Sequence, residues 1–460
     1  MQMFPVSHLN AVSPDTQRVG FHYYPDTLHY RESDLATWLP ELTALGAAWL
    51  VLRSDLDRAI PEHFLRGLKR AGIEPLVHFK PALDASLDLR EMRTLLEVYA
   101  RWGVRQVIFF DRPNDRSSWP VSGWVQSDLV ERFLDRFLPV AGLAVQTGLT
   151  PIFPPLQPGG SYWDTAFLRS ALQAMERRRQ ESLLARLGLA AYGWSGNHSL
   201  DWGGGGPERW PDSRPYLTPS DSQDQRGFRI FDWYLAIAEA VLHRPCPLFL
   251  LQAGSPSDPQ SSEAGQHDSY QANCLAIARL LGEQPDQAGS VPDPLAPDNP
   301  LEPIPPQVMS ACFWLLSADA RSPHAAQAWF DAEGRPGALA SALRDQQREQ
   351  AFNRRQQAAG KGLAGSTHSA DHPIQHYLLL PGFEWGVPDW YLEVIRPFVK
   401  KYRPTIGFSI EEARLAQRVT VVGNSPHFSE EMVCRLESAG CLVEQIGGDG
   451  TSIATQLAER

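Results

Sequence analysis

One alternation dominates this sequence: short apolar, β-favouring runs are each followed by a segment with helical periodicity. Such an alternation predicts parallel strands covered by helices. Eight runs of this kind occur in the first three quarters of the chain: Val19–Tyr24, Ala48–Arg53, Glu74–Lys80, Gln106–Asp111, Thr150–Pro154, Leu187–Tyr192, Pro247–Gln252 and Ser310–Leu315.

Helical segments long enough to cover a strand lie between these runs. Eight parallel strands with alternating helices close into a (β/α)8 barrel, or TIM barrel, because closure removes the exposed edges of the sheet. An open, doubly wound α/β sheet is the alternative. The predicted helices include Asp34–Leu45, Pro61–Ala71, Leu89–Trp102, Leu129–Gly142 and Phe228–Leu242, with Asp331–Arg344 as the eighth.

Long insertions interrupt the alternation at Ser195–Arg226 and, around the seventh helix, at Ser255–Gln266 and Gln284–Pro306. Barrels place such loops over the active face. The first insertion contains a tetraglycine, Gly203–Gly206, that lacks the Gly-Lys-Ser/Thr ending and the following helix of a phosphate-binding loop. We expect a tryptophan-bearing lid over the cleft, with a plain structural loop as the alternative.

The sequence predicts a barrel over residues 1–345, a linker over 346–371 and a small parallel α/β domain over 372–460. Residues 346–371 are rich in Gln, Ala, Gly and Ser, so they form a linker or a frayed helical extension. The alternation then restarts, with predicted strands or helices at Tyr377–Leu380, Asp389–Lys401, Thr405–Phe408, Val419–Gly423, Ser429–Ala439, Leu442–Ile446 and a last helix from Thr451.

Charge and hydropathy limit the partners. The formal net charge is −11 and no basic run dominates, which makes nucleic acid a poor candidate partner. Met1–Gly20 lacks the features of a signal peptide, and no segment has the ~18 uninterrupted apolar residues that span a bilayer. We therefore expect a cytoplasmic protein without membrane insertion.

Cysteine and histidine spacing gives no indication of a metal centre. The five cysteines have no CxxC spacing, so we expect buried apolar side chains rather than a zinc knuckle or a disulfide framework. His78 and His198 are potential metal ligands, but no third ligand lies at a recognisable spacing. We predict neither a metal nor another cofactor.

The predicted strands end in side chains that suit a sugar. Barrel active sites form at the carboxyl ends of strands, and aromatic faces with hydrogen-bonding groups between them fit the C–H faces and hydroxyls of a sugar ring. We therefore predict a carbohydrate ligand. The predicted binding residues are Arg53, His78, Asp111, Arg112, Asn114, Tyr192, Trp194, Gln252 and Trp314.

At these strand ends the sequence resembles the retaining (β/α)8 glycoside hydrolases, over residues 19–344. The segment Phe110–Asn114, with Trp119, is similar to the Asn-Glu-Pro-Asn segment of that clan, and Leu250–Gly254 is similar to its Thr-Glu-Ala-Gly segment. The resemblance implies an acid/base Glu at position 112 and a nucleophilic Glu at position 252. This chain has Arg112 and Gln252 instead.

Retaining hydrolysis needs two carboxyls ~5–5.5 Å apart, one to donate a proton and one to form a glycosyl ester. Arginine cannot protonate a leaving oxygen and an amide is no useful nucleophile. The sequence therefore predicts a noncatalytic carbohydrate-binding pseudoenzyme. Two alternatives remain: an assembly protein that uses the C-terminal domain for interaction, and an active hydrolase that pairs Asp111 with a loop carboxylate from the set Asp115, Asp201, Glu208 and Asp258.

Asp111 is the strongest acid candidate, because it ends an apolar strand where burial raises a carboxyl pKa. A salt bridge to Arg112, Arg53 or Lys80 is the alternative.

The C-terminal sequence resembles one cell-wall-binding repeat of bacterial surface proteins. The resemblance lies in Val419–Gly423, Ile446–Gly448 and Thr451–Ala458. The glycines near these strands do not have the spacing of a dinucleotide-binding fingerprint. We therefore predict that residues 372–460 form a structural or interaction domain that binds a protein partner, rather than a cofactor domain.

Overall fold

A computed structural model of the protein describes residues 17–259, 267–282, 291–350, 374–381, 388–402, 404–423, 428–448 and 450–458. The chain divides into two compact units, Met1–Gln350 and Ala351–Arg460. The linker predicted at 346–371 falls largely outside the described residues, but its first five residues continue a helix.

The first unit is a closed barrel of eight parallel strands, which confirms the predicted fold class and excludes the open sheet. Each strand pairs with its neighbours in sequence, and the eighth pairs with the first, Val19 lying beside Ala311. The strands are β1 (Val19–His22), β2 (Trp49–Ser54), β3 (Glu74–Phe79), β4 (Gln106–Phe109), β5 (Thr150–Phe153), β6 (Gly188–Tyr192), β7 (Leu248–Leu251) and β8 (Val308–Phe313).

Helices cover the outside of the barrel. Their amphipathic sequences turn one apolar face to the sheet, as in α3, where Met92, Leu96 and Tyr99 are buried and Asp88 caps the first turn by accepting the Arg90 and Glu91 amides. The helices are α1 (Glu32–Ala44), α2 (Glu62–Arg70), α3 (Leu89–Arg101), α4 (Leu129–Gln146), α5 (Asp164–Arg177), α6 (Ile230–Leu242), α7 (His267–Gly282) and α8 (338–350).

The eighth helix begins later and ends later than the sequence predicted. The prediction was Asp331–Arg344, whereas α8 spans 338–350. The side chain of Asp331 accepts the backbone N–H groups of Glu333 and Arg335 and pairs with the Arg335 guanidinium, so this segment folds as a turn. Local side-chain bonds of this kind compete with helix formation.

The barrel interior is packed rather than hollow. Alternate strand residues point inward, so Trp49 and Val51 of β2 join an inner cluster while Leu50 and Leu52 face the helices. Gly20 fills an inner position where a Cβ would lie 2.6 Å from the Cys312 sulfur and 2.9 Å from the Trp49 Cβ. A larger residue there would have to displace two strands.

The insertion after β6 is hydrogen-bonded to α6, and its glycine amides are already paired, so it is not a phosphate-binding loop. The indole N–H groups of Trp233 and Trp210 donate to the Gly203 and Gly204 carbonyls. All four glycine amides of the loop donate to protein oxygens, at Gln223, Asp201, Asp232 and Gly203. The later insertion contains an antiparallel ribbon, Pro292–Asp293 with Ala296–Pro300, that the sequence did not predict.

The second unit contains a small parallel sheet, as predicted, with four strands in the order β10-β9-β11-β12. Separate apolar clusters cover its two faces, one with α9 and α12 and the other with α10 and α11. The elements are β9 (Ile374–Leu379), α9 (Asp389–Tyr402), β10 (Thr405–Gly407), α10 (Ile410–Ala413), β11 (Ala416–Val422), α11 (Glu430–Ser438), β12 (Leu442–Ile446) and α12 (Gly450–Ala458).

Four of the five cysteines are buried as expected, but Cys434 on α11 is exposed, which corrects the prediction for that residue.

Across the described parts of the chain, no helix has the length and apolar character needed to cross a membrane.

Candidate functional site

A pocket of about 60 Å³ opens at the carboxyl ends of β1, β2, β3 and β8. It lies where barrel active sites form, and its wall combines aromatic rings with cationic and imidazole groups. Three predicted binding residues, Arg53, His78 and Trp314, line it. The complete lining is His22, Tyr24, Pro25, Val51, Arg53, His78, Lys80, Trp314 and His324.

Two neutral histidines form the base of this pocket. His78 Nε2 lies 2.8 Å from the Phe110 carbonyl, which can only accept, so Nε2 carries the proton. His22 Nε2 instead accepts the Gln252 backbone N–H at 3.3 Å. Burial and the nearby Lys80 charge lower the pKa of His78 to about 3 and that of His22 well below its usual value. Both rings therefore stay uncharged near neutral pH.

Asp111, just after β4, is held by three side chains from different parts of the barrel. Its Oδ2 lies 2.9 Å from Lys80 Nζ and 3.7 Å from Arg112 Nε, and its Oδ1 accepts the Tyr192 hydroxyl at 2.5 Å. Burial alone would raise the pKa of Asp111, but the charges of Lys80 and Arg112 outweigh burial and lower it well below the usual range. The carboxyl is thus a permanently ionised acceptor.

This geometry corrects the prediction that burial raises the Asp111 pKa. The alternative, a salt bridge, is what forms, with Lys80 and Arg112 as the partners. Arg53 instead donates to the Pro25 carbonyl at 2.7 Å. A carboxyl that stays ionised cannot protonate a leaving group, so Asp111 lacks the property required of a glycosidase acid.

Arg112 occupies the space between two carboxylates. Its Nη1 lies 2.6 Å from Asp258 Oδ2, while its Nε faces Asp111. The guanidinium also lies over the Tyr192 ring, 5.9 Å from the centroid. The backbone N–H of Arg112 donates to the Pro155 carbonyl. The Arg112 cation thus pairs with both acids.

Gln252, just after β7, is fully buried at 0% exposure. Its Oε1 accepts the Trp194 indole N–H at 2.9 Å, and the Trp194 ring stacks on Tyr192 at 4.9 Å between centroids. Its Nε2 has no hydrogen-bond partner among the described residues. The side chain at the expected nucleophile position is therefore an oriented amide that links β6 to β7.

Three of the eight non-glycine residues with left-handed φ angles in the described chain follow β4 or β7. Phe110, Arg112 and Gln252 adopt left-handed φ angles of 69°, 48° and 51°. A left-handed conformation costs a non-glycine residue on the order of 1–3 kcal/mol and is enriched at functional sites. The strain aims the side chains that follow β4 and β7 across the barrel mouth.

The other candidate carboxylates have structural partners. Asp115 caps a short helix by accepting the Ser117 N–H, and it also accepts the Ser161 hydroxyl. Burial raises the pKa of Asp201, but its carboxylate accepts the Glu302 amide at 3.0 Å and does not line the pocket. Glu208 is exposed in the tetraglycine loop. The structure thus brings none of these three beside Asp111.

Six of the nine predicted binding residues lie outside the pocket lining: Asp111, Arg112, Asn114, Tyr192, Trp194 and Gln252. Asn114 is fully buried, and its amide bonds three backbone groups of the loop after β5, at Gln157 and Tyr162. His198, considered as a metal ligand together with His78, stacks on Trp202 at 4.0 Å instead. Neither residue belongs to the pocket as the structure has it.

The predicted binding set omitted six lining residues, His22, Tyr24, Pro25, Val51, Lys80 and His324. Of these, His324 follows β8 at some distance. Its ring packs edge-on against Trp314, and both side chains approach the Gln327 amide oxygen, at 3.3 and 2.9 Å. Only the Ser-Pro-His sequence of a turn marks this position. No periodic pattern indicates that the turn folds back over the barrel mouth.

Comparison of the sequence with protein-family models and with curated proteins finds no match. Among solved structures, a β-xylosidase from Caulobacter crescentus CB15 is 12% identical, covers 71% of this chain and 67% of its own, and has a TM-score of 0.43. Xylanase 10B from Thermotoga maritima is 12% identical over 72% and 94%, with a TM-score of 0.39. An L-ribulose 3-epimerase is 11% identical over 77% and 100%, with a TM-score of 0.38.

The barrel assignment itself rests on the strand order and register of this chain.

Proposed function

We propose that the barrel binds carbohydrate at the carboxyl ends of its strands and does not hydrolyse it. The observation that carries the proposal is the ion pairing of Asp111 with Lys80 and Arg112. It leaves an ionised carboxyl where a proton donor would be needed, while the amide of Gln252 stands where a nucleophile would be needed.

The pocket lining supports a sugar as the ligand. Trp314 and Tyr24 supply aromatic surface, and His78, Lys80 and Arg53 supply hydrogen-bonding groups around it. At about 60 Å³ the pocket is much smaller than the ~300–1,000 Å³ of typical ligand sites. We therefore expect it to take one substituent of a sugar ring, with the ring itself at the mouth.

The charges predict which substituent binds. Arg53 is exposed at the pocket and, among the described residues, forms no ion pair with a carboxylate. A guanidinium binds a carboxylate in a bidentate geometry, which a neutral hydroxyl does not match. We therefore expect acidic glycans, such as those that contain uronic acids, to bind more tightly than neutral ones.

The experiment is calorimetric titration of the purified full chain with matched neutral and uronic-acid oligosaccharides, with product analysis of the same samples. We expect binding of the acidic ligands without hydrolysis, and at least tenfold weaker binding for Arg53→Gln. The control is Arg66→Gln on the outer helix α2, where Arg66 pairs with Glu62. That variant removes the same charge and should bind normally.

Two results would contradict the proposal. Turnover that disappears in Asp111→Asn would identify an active hydrolase, one of the two alternatives. Absence of both binding and turnover across the panel would favour the second alternative, an assembly protein whose residues 372–460 bind a protein partner. The resemblance of the C-terminal segment to a cell-wall-binding repeat stays a prediction, which binding of the full chain to purified peptidoglycan would test.

A further inference from the structure

A second group of side chains lies beside the pocket, where the loop after β1 meets the loop after β8. Asp26 and His29 come from the first loop and Asp319 comes from the second, and their ligand atoms lie within 4.8 Å of one another. The His29 ring stacks on Tyr24, which lines the pocket, with 3.8 Å between centroids. Asp319 is distant in sequence from Asp26 and His29, but β1 and β8 are neighbouring strands.

The distances in this cluster do not correspond to hydrogen bonds. His29 Nε2 lies 3.6 Å from Asp26 Oδ2 and 3.6 Å from Asp319 Oδ1, beyond the 2.7–3.2 Å typical of N–H···O bonds. That nitrogen is buried and has no hydrogen-bond partner among the described residues. Ligands around a tetrahedral zinc ion, with bonds of ~2.0–2.1 Å, stand about 3.3–3.4 Å apart. Both 3.6 Å contacts to His29 are close to that spacing, and the ligand atoms all lie within 4.8 Å of one another, so a rotation of the exposed Asp319 side chain would bring the three atoms around one cation.

The local charge also favours a cation. Within the described parts of the chain, neither Asp26 nor Asp319 forms an ion pair with a lysine or an arginine. Asp26 is already oriented, because its Oδ1 accepts the Leu28 amide at 2.9 Å and its Oδ2 faces His29. The Asp319 side chain is 61% exposed, so water can complete the coordination.

We propose that Asp26, His29 and Asp319 bind a divalent transition-metal ion that joins the β1 loop to the β8 loop at the rim of the pocket. One imidazole and two carboxylates form a donor set that suits Zn²⁺ or Mn²⁺, whereas Ca²⁺ and Mg²⁺ prefer oxygen ligands alone. The sequence carries only the Asp-x-x-His spacing of Asp26 and His29, which is too short a signal to predict the third ligand. The inference is independent of the proposed carbohydrate binding.

The test uses untagged full-length protein that has been treated with a chelator and dialysed, titrated calorimetrically with Zn²⁺ and, separately, with Mn²⁺. We expect one site per chain and a metal-dependent rise in melting temperature. His29→Ala and Asp319→Asn should each weaken binding at least tenfold and abolish that rise. Electron paramagnetic resonance of bound Mn²⁺ provides a second readout that does not depend on stability.

Matched controls separate the site from general surface binding. His63→Ala removes an exposed histidine on α2, and Asp57→Asn removes an exposed carboxylate from the loop after β2. Both variants should bind the metal as the wild type does. Failure of the wild type to bind either ion at millimolar concentration, or equal affinity in wild type and His29→Ala, would overturn the proposal. Preference for Ca²⁺ over both transition metals would refute the assigned donor set.

Discussion

Replacing Asp111 by Asn tests the electrostatic arrangement on which the proposed function depends. The substitution preserves the shape and an acceptor for the Tyr192 hydroxyl, but it leaves Lys80 and Arg112 facing a neutral amide. The Asp111 side chain is 14% exposed and that of Lys80 is 21% exposed. The pair thus lies between a surface salt bridge, worth about 0–1 kcal/mol, and a buried one, whose disruption costs about 3–5 kcal/mol. We expect a loss of about 3 kcal/mol at pH 7.

The loss should depend on pH in a defined direction. The pKa of Asp111 is lower in the folded chain than in the unfolded chain, where it is about 3.9. Its stabilising contribution is therefore complete above that value and is lost as the pH falls toward the folded pKa. Below about pH 4, the difference between wild type and Asp111→Asn should shrink by up to about 1.4 kcal/mol for each pH unit.

The assay is urea unfolding followed by tryptophan fluorescence, at pH 7 and at intervals down to pH 3. A double-mutant cycle with Lys80→Met should give a coupling free energy of about 1–2 kcal/mol, since the two side chains are in direct contact. Asp57→Asn, an exposed control, should stay within about 0.5 kcal/mol of wild type. A change below 0.5 kcal/mol for Asp111→Asn, or one that does not vary with pH, would refute the reasoning.

Three further predictions concern other parts of the chain. Gly203→Ala should cost at least about 3 kcal/mol of unfolding free energy, because φ is 73° and a Cβ would lie 2.2 Å from the Asp224 carbonyl oxygen. The control Gly72→Ala has similar backbone strain without the clash and should cost about 1 kcal/mol. Titration of the native protein with a thiol reagent should label only Cys434 of the five cysteines quickly, and denaturant should expose the rest. NMR of the imidazole nitrogens should show His78 neutral from pH 8 to pH 5, since its pKa is about 3. The buried neutral ring contributes fully to stability above about pH 6.5, and this contribution declines as the pH falls below that value.

The barrel was predictable because its strands carry a strong local signal. Strands buried on both faces are nearly continuous apolar runs, so their type can be recognised without knowledge of their partners. Residues 49–54 and 74–79, for example, are almost entirely buried; the first differs from the predicted strand by one residue at each end and the second by one residue at its end. The restarted alternation located Leu442–Ile446 in the second unit without error, although this strand is mostly not buried.

The errors in the predicted elements arose from contacts that the periodic pattern does not reveal. Asp331 bonds to nearby backbone, so a turn replaces the beginning of the predicted eighth helix. The ribbon of residues 292–300 depends on a strand pairing. Buried Asp293 accepts the Leu295 and Leu200 amides, one local and one from the insertion after β6. Contacts between distant loops of this kind have no counterpart in local sequence.

The sequence predicted the kinds of residue that lie at the strand ends, but it did not predict the direction of the Asp111 pKa shift. The rule that barrel sites form at strand ends predicted Arg53, His78 and Trp314, which line the pocket, together with Asp111, Arg112 and Gln252, which do not. The direction of the Asp111 pKa shift, however, depends on Lys80 from β3 and Tyr192 from β6 approaching one carboxyl. Burial and ion pairing act in opposite directions, so only the distances decide which effect prevails.

The surroundings of positions 112 and 252 match the arginine and glutamine found there. Arg112 neutralises Asp111 and Asp258, and the Gln252 amide oxygen accepts the Trp194 N–H inside the barrel. Introducing Glu at both positions would place four carboxylates around the barrel mouth and remove the cation that pairs with two of them. The new carboxylate at position 252 would be buried at a site with no exposed surface. Because an ionised group there needs a cation that the neutral His22 and His78 do not supply, the double substitution would raise carboxyl pKa values without creating a matched acid and nucleophile.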